Sequence, residues 1–196
     1  MTSCLLAVED EVSEIVARRM IESYSPLQVL ECYGKKGFGY LKANMSKFQE
    51  ASRQIPYFVL TDLDQYSCAT ALKEDWNIVA TPRNFMLRIA VRSIESWLLA
   101  DRKNFADFLG ISIQKLPLNP DDEINPKRLL TELAKHSRKR EICEDIVLKP
   151  KSTAKIGPNY TSRLSRFVRE HWEMESAQKQ SKSLQRAIFA LKNFNP

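Results

Sequence analysis

Two groups of carboxylates in this chain each follow an apolar run. Glu9, Asp10 and Glu11 come directly after Cys4-Leu5-Leu6-Ala7-Val8, and Asp62-Leu63-Asp64 comes directly after Tyr57-Phe58-Val59-Leu60-Thr61. Carboxylate oxygens are hard donors, and a small divalent cation such as Mg2+ or Mn2+ is commonly held by one or two of them plus water and substrate phosphates. Residues two apart on an extended segment point the same way, so alternation expects Asp62 and Asp64 to face one cation. Glu9 is the natural third member. Asp10 and Glu11 have a separate explanation, because acids at the start of a helix meet the positive end of its dipole.

Clustered acids repel a polyanionic substrate, so cations must lie nearby. Gly34-Lys35-Lys36-Gly37-Phe38-Gly39 supplies Lys35 and Lys36 between glycines that allow close backbone approach and anion-binding amide conformations. The run lacks the Walker pattern, and a mobile solvated loop explains it equally well. Farther along, Arg163, Arg166 and Arg169 recur every three residues, while Leu164, Phe167, Val168 and Trp172 form an apolar stripe. The rigid guanidinium fork suits phosphate contacts that position nucleic acid without reading its sequence. Lys149, Lys151, Lys155, Arg138, Lys139 and Arg140 extend the same patch; a solvated helix face is the alternative.

The charge distribution sharpens the point. Residues 1–125 carry 14 Lys/Arg against 17 Asp/Glu, whereas residues 126–196 carry 16 against 7, so the formal +6 of the whole chain conceals a strongly basic C-terminal part. A cationic surface beside an acidic site attracts polyanions, and nucleic acid is the expected partner. His136 and His171 have no Cys or His partners at ligand spacing, and the four scattered cysteines form no C-x-x-C pair, which argues against zinc and against a disulfide framework.

The elements that must position these residues are legible from periodicity. Ser3–Val8 reads as a strand, Glu11–Tyr24 as a helix, Leu27–Tyr33 as a strand, and Leu41, Met45, Phe48 and Ala51 mark a second helix. A third strand covers Tyr57–Thr61, a helix follows near Ala69–Asp75, and Asn84–Val91 suits a fourth strand, although a short apolar run also suits a buried helix. Repeated strand, loop and helix imply a parallel sheet with crossover helices. Ser93 is the expected N-cap of a helix through Trp97 and Leu99. Leu116–Pro126, with three prolines and the acidic trio Asp121, Asp122 and Glu123, reads as an exposed connection; beyond it the pattern is helical. The expected organisation is therefore an α/β core over 1–115 and a basic, mainly helical C-terminal annex over 116–196 packed on it.

A strand ending in Glu, a βα unit and a later strand ending in D-x-D resembles the Toprim fold of topoisomerases, primases and small nucleases. The run Arg88-Ile89-Ala90-Val91-Arg92-Ser93-Ile94-Glu95-Ser96-Trp97-Leu98-Leu99-Ala100-Asp101 is more particular and resembles the E-x-W-L-L-A-D stretch of Toprim-like DUF4276 proteins. The resemblance implies a Toprim/Rossmann-like, mainly parallel sheet flanked by helices and a magnesium-dependent nuclease or related phosphodiester-processing enzyme. In it Glu9 is a general acid/base or metal ligand, Asp62 and Asp64 bind Mg2+ or Mn2+, and Glu95 completes the shell. It also implies an ATPase partner and a role in phage defence. Toprim strands usually follow their Glu with Gly, where this chain has Asp10.

Two other functions fit the same residues. Leu5–Glu11 resembles the first strand and acidic pair of a receiver domain, with Asp62 as phosphoacceptor and Leu148-Lys149-Pro150 as its Lys-Pro. A non-catalytic nucleic-acid-binding subunit of a defence complex is the other. No apolar run approaches the roughly 20 residues of a membrane helix, and the opening is too short and too soon acidic for a signal peptide, so a cytoplasmic protein without membrane partners is expected.

Overall fold

The computed structural model describes residues 2–148 and 156–196. Its described residues divide into two compact units, Met1–Val91 with Ser183–Pro196, and Arg92–Lys182. The proline-rich connection over 116–126 therefore lies inside the second unit, and the division falls where β4 ends.

The first unit is an α/β fold. Strands β1 (Thr2–Val8), β2 (Leu27–Gly34), β3 (Tyr57–Asp62) and β4 (Phe85–Ala90) alternate with helices α1 (Glu11–Tyr24), α2 (Phe38–Ala51) and α3 (Ala69–Asp75). All four strands are parallel, in the order β2-β1-β3-β4. A parallel sheet is covered on both faces, so its strands read as near-continuous apolar runs; Leu6, Ala7, Val8, Phe58, Val59 and Leu60 are all buried.

Topology follows from handedness. The step from β1 to β2 runs one way along the sheet, whereas the steps from β2 to β3 and from β3 to β4 run the other way. Right-handed crossovers then put α1 on one face and α2 and α3 on the opposite one. The packing agrees: Leu41, Met45 and Phe48 of α2 and Leu72 of α3 join Ala7, Tyr57, Val59, Phe85 and Leu87 in one core. The alternate residues Phe58, Leu60 and Met86 face the other way. At β1 and β3 the chain leaves the sheet toward opposite faces, which opens the crevice where α/β folds of this Rossmann/Toprim-like class bind ligands.

The second unit is helical: α4 (Ile94–Leu99), α5 (Arg102–Leu109), α6 (Pro126–Lys135), α7 (Arg140–Ile146), α8 (Tyr160–Glu170) and α9 (Met174–Ala177). Helix α10 (Lys182–Lys192) belongs almost wholly to the first unit, where the Oγ of Ser183 accepts the Val91 N–H and the Lys192 ammonium sits over the Tyr24 ring. The acidic trio and its prolines are held rather than loose: Pro120 is buried, Asp121 accepts the Ser181 hydroxyl, and an Nη of Arg102 donates to the Ile113 and Leu116 carbonyls. No described helix is long and apolar enough to cross a membrane.

Candidate metal and phosphate site at the sheet edge

Glu9 is the first residue past β1, and its carboxylate reaches across to the end of β3. Oε1 accepts the Thr61 hydroxyl and, at 2.8 Å, the backbone N–H of Asp62. Neither bond uses Oε2. Burial pushes the Glu9 carboxyl above the usual carboxylate range; the Thr61 and Asp62 bonds pull it back, and the charges of Asp64 and Asp10 push it further up. The structure thus brings Glu9, Asp62 and Asp64 to one end of the sheet, at the β1/β3 crevice.

Asp62 and Asp64 do not share one extended segment as alternation expects. Strand β3 stops at Asp62, and Asp64 lies in the left-handed region with φ 49°. Asp64 is therefore not two extended residues beyond Asp62, and alternation does not make their carboxylates parallel. Leu63 between them is buried in the core, and its N–H donates to the Ala90 carbonyl, so the chain turns there. Aspartate tolerates this backbone better than most side chains do.

Asp10 is the N-cap of α1, its Oδ1 accepting the Ser13 N–H at 2.8 Å. Glycine there would leave that donor to water, so the acid is explained by helix initiation. The glycine-lysine turn is docked on the same edge through its backbone: Lys35 N–H donates to Val8 O and Gly37 N–H to Glu9 O. Gly34 pairs with Val8 at φ 99°, and a Cβ there would stand 2.1 Å from the Val8 carbonyl oxygen. Only glycine lets β2 end against β1 in this way.

The lysine side chains are partly committed. Lys35 Nζ lies 2.9 Å from Glu14 Oε2, with Arg18 on the other oxygen, and Lys36 sits over the Tyr40 ring. The sequence gives one signal for Glu14, its place in the first turn of α1, one helical turn after Asp10. Thr61 likewise gives one, as a polar residue ending an otherwise apolar run.

The Glu9 carboxylate and the Asp62 backbone meet at the crevice, with the Thr61 hydroxyl fixing the Glu9 orientation. Among the described residues no three His, Cys, Asp or Glu side chains are grouped closely enough to enclose a metal ion. The residues that could hold a cation at this crevice are Glu9 and Asp62, with water and substrate oxygens left to complete its shell.

Glu95 belongs to the second unit, where it is 2% exposed. Its Oε2 accepts the Ser93 hydroxyl at 2.6 Å, and its Oε1 accepts the Tyr160 hydroxyl at 2.9 Å with Lys127 Nζ at 3.5 Å. Ser93 has the backbone of an N-cap, but its hydroxyl serves Glu95 instead of the helix. The rest of the E-S-W-L-L-A-D run is similarly occupied: Trp97 O accepts the Trp172 indole N–H, and the fully buried Asp101 accepts the Glu173 N–H and the Asn104 amide. In this unit the motif holds α4, α5, α6, α8 and the turn before α9 together.

The arginines of α8 differ from one another. Arg163 is ion-paired to Asp145 on α7, and Arg166 pairs with Glu170 one turn on, whereas Arg169 is exposed on the last turn. The cationic face read from their spacing is therefore partly neutralised. Lys149, with Lys151 and Lys155, lies outside the described residues.

No curated protein and no solved structure matches this chain. A family model does, described as a domain of unknown function (DUF4276), over residues 7–185. That span takes in Glu9 with the last two residues of β1, the D-L-D turn and the whole helical unit, and the chain belongs to the DUF4276 family.

Proposed function

We propose that this protein is a Toprim-like, divalent-metal-dependent nuclease or related phosphodiester-processing enzyme, working at the β1/β3 crevice. The observation that carries the reading is the bond from Asp62 N–H to Glu9 Oε1, which couples the ends of two adjacent parallel strands at a topological switch point. When bound, Mg2+ or Mn2+ would neutralise charge developing on phosphoryl oxygens and lower the pKa of a bound water.

The chain's own residues divide the remaining work. Thr61 and the Asp62 N–H hold Glu9 Oε1, which leaves Oε2 to exchange a proton with the attacking or leaving oxygen or to take a metal coordination position. Burial raises the Glu9 carboxyl above the usual carboxylate range, which favours its carrying a proton relative to an exposed glutamate. Asp62 supplies an anionic oxygen ligand, with Asp64 beyond the turn. Exposed cations such as Arg169 would hold the nucleic-acid backbone without reading sequence. An ATPase partner, a role in phage defence and a cytoplasmic setting belong to this same reading and rest on the family resemblance.

A receiver-like phosphoacceptor is the second reading. The strand order β2-β1-β3-β4, with Asp62 ending β3, favours it. Against it, Asp10 is used as a helix cap, and among the described residues β4 is followed by helices and no fifth strand.

The test is cleavage of single- and double-stranded DNA and RNA with Mg2+ or Mn2+, beside an Asp62→Ala/Asp64→Ala variant. Metal-dependent cutting that the variant loses is expected. Inactivity with phosphorylation of Asp62 by a small phosphodonor would favour the receiver, and inactivity in both assays a binding subunit.

A further inference from the structure

Arg88 is a charged residue without a visible purpose. It lies on β4 opposite Leu60, two residues before the Ala90–Asp62 pairing, so it shares a sheet face with Leu60 and Asp62. Its Nε is buried and has no hydrogen-bond partner, and among the described residues no carboxylate is ion-paired with it. The residue as a whole remains partly exposed.

A guanidinium stays protonated at any physiological pH, so it cannot escape this position by neutralising itself. Burial without an anion disfavours its charge and lowers its pKa. Buried polar groups are nearly always satisfied, and one that is not calls for an explanation. A chain that wanted only a packed strand would have an apolar residue here, as the neighbouring Phe58, Leu60 and Met86 are. The guanidinium fork matches a phosphate, and the residue's exposed part leaves a way in for one.

We infer that Arg88 is an anion-receiving residue that takes a phosphate oxygen of the substrate on the Asp62 face of the sheet. The inference rests on the phosphodiester reading above for the identity of its ligand. It assigns the compensating cation of the acidic edge to β4 and not to the lysines of the glycine turn, whose side chains are already engaged by Glu14 and Tyr40.

The test uses the full chain without metal, in EDTA, with inorganic phosphate and with a short oligothymidylate as separate probes at matched ionic strength. For wild type, phosphate should raise the melting temperature by mass action. Arg88→Met should lose that rise and bind the oligonucleotide roughly 10- to 100-fold more weakly, the loss expected for a charge-assisted hydrogen bond. Arg88→Lys should fall between. Without phosphate, Arg88→Met should melt at or above wild type, because an uncompensated buried charge has been removed. An Arg88-dependent response to the oligonucleotide with none to phosphate would assign the site to nucleic acid and not to the free ion. Arg88→Met that melts far below wild type, or that keeps the wild-type response to both probes, would overturn the inference. If Arg88 proves necessary for anion binding while Glu9→Gln and Asp62→Asn leave the Mg2+ response of the protein unchanged, the anion site stands and the nuclease reading falls.

Discussion

Glu9 and Asp62 are 53 residues apart in the chain and joined by a 2.8 Å bond from the Asp62 backbone N–H to Glu9 Oε1. Because the donor is backbone, the bond fixes the Glu9 carboxylate without consuming the Asp62 side chain. It exists because β1 and β3 are adjacent and parallel, with Val8 opposite Leu60, so both strands deliver their next residues to one edge.

That edge depends on Gly34. Its φ of 99° and the 2.1 Å approach that a Cβ would make to Val8 O leave no room for a side chain. Gly34→Ala should destabilise the protein by about 2–3 kcal/mol, from left-handed backbone strain together with the displaced β1/β2 ladder. Urea denaturation measures it; a midpoint equal to wild type would contradict the assigned role.

Glu95 offers a contrast with Glu9. Glu95→Ala strands the Tyr160 and Ser93 hydroxyls in a buried site and should cost about 2–4 kcal/mol. Glu9→Gln, at a partly open crevice, should change stability much less while removing metal-dependent activity. Denaturation and cleavage assays run on both variants separate a structural carboxylate from a chemical one.

A pH effect is expected from Asp101. Burial, against the opposing pull of the Glu173 N–H and the Asn104 amide, holds its carboxyl above the usual range. The folded state therefore binds the Asp101 proton more tightly than the unfolded chain does. Its contribution to stability is fully present below the unfolded value of 3.8 and is lost as pH rises through the folded pKa. Asp101→Asn removes the titrating group, and the difference in stability between wild type and variant should shift in favour of the variant as pH rises across that window. Melting temperatures taken in steps above pH 3.8 follow it; a constant difference would sink the assignment.

The α8 arginines should differ in kind. Arg169→Ala should weaken nucleic-acid binding and lower the salt slope of log affinity by about 1, as for one lost phosphate contact. Arg163→Ala breaks the Asp145 pair and should act first on stability. Binding isotherms over a salt series, beside thermal melts, read both; an affinity flat with salt would remove the polyanion argument altogether.

Much of the α/β unit was legible because its signals are local. The apolar runs before Glu9 and Asp62, the 3.6-residue spacing from Val12 to Ile21 and the repeated strand-helix order suffice for a parallel sheet, and the observed α1 bounds match the expected ones. What remained hidden was decided by distant partners. Nothing near Lys35 in sequence announces Glu14, and nothing near Glu95 announces Tyr160, 65 residues away. The left-handed turn at Asp64 could not be read because D-L-D is equally compatible with an extended end. The proline-rich segment looked like a boundary because prolines interrupt periodicity, yet bonds from Arg102 and Ser181 tie it into the helical unit. Helices α5 and α7 are short, and a run of seven or eight residues carries too little periodicity to stand out.

The claim at the centre is that a divalent cation is held where Glu9 and Asp62 meet. Binding of Mn2+ to the wild-type chain, followed by electron paramagnetic resonance and calorimetry, tests it beside Glu9→Gln and Asp62→Asn. Saturable binding that each variant weakens by roughly tenfold or more is expected; binding of equal strength in all three proteins, or none in the wild type, would contradict it.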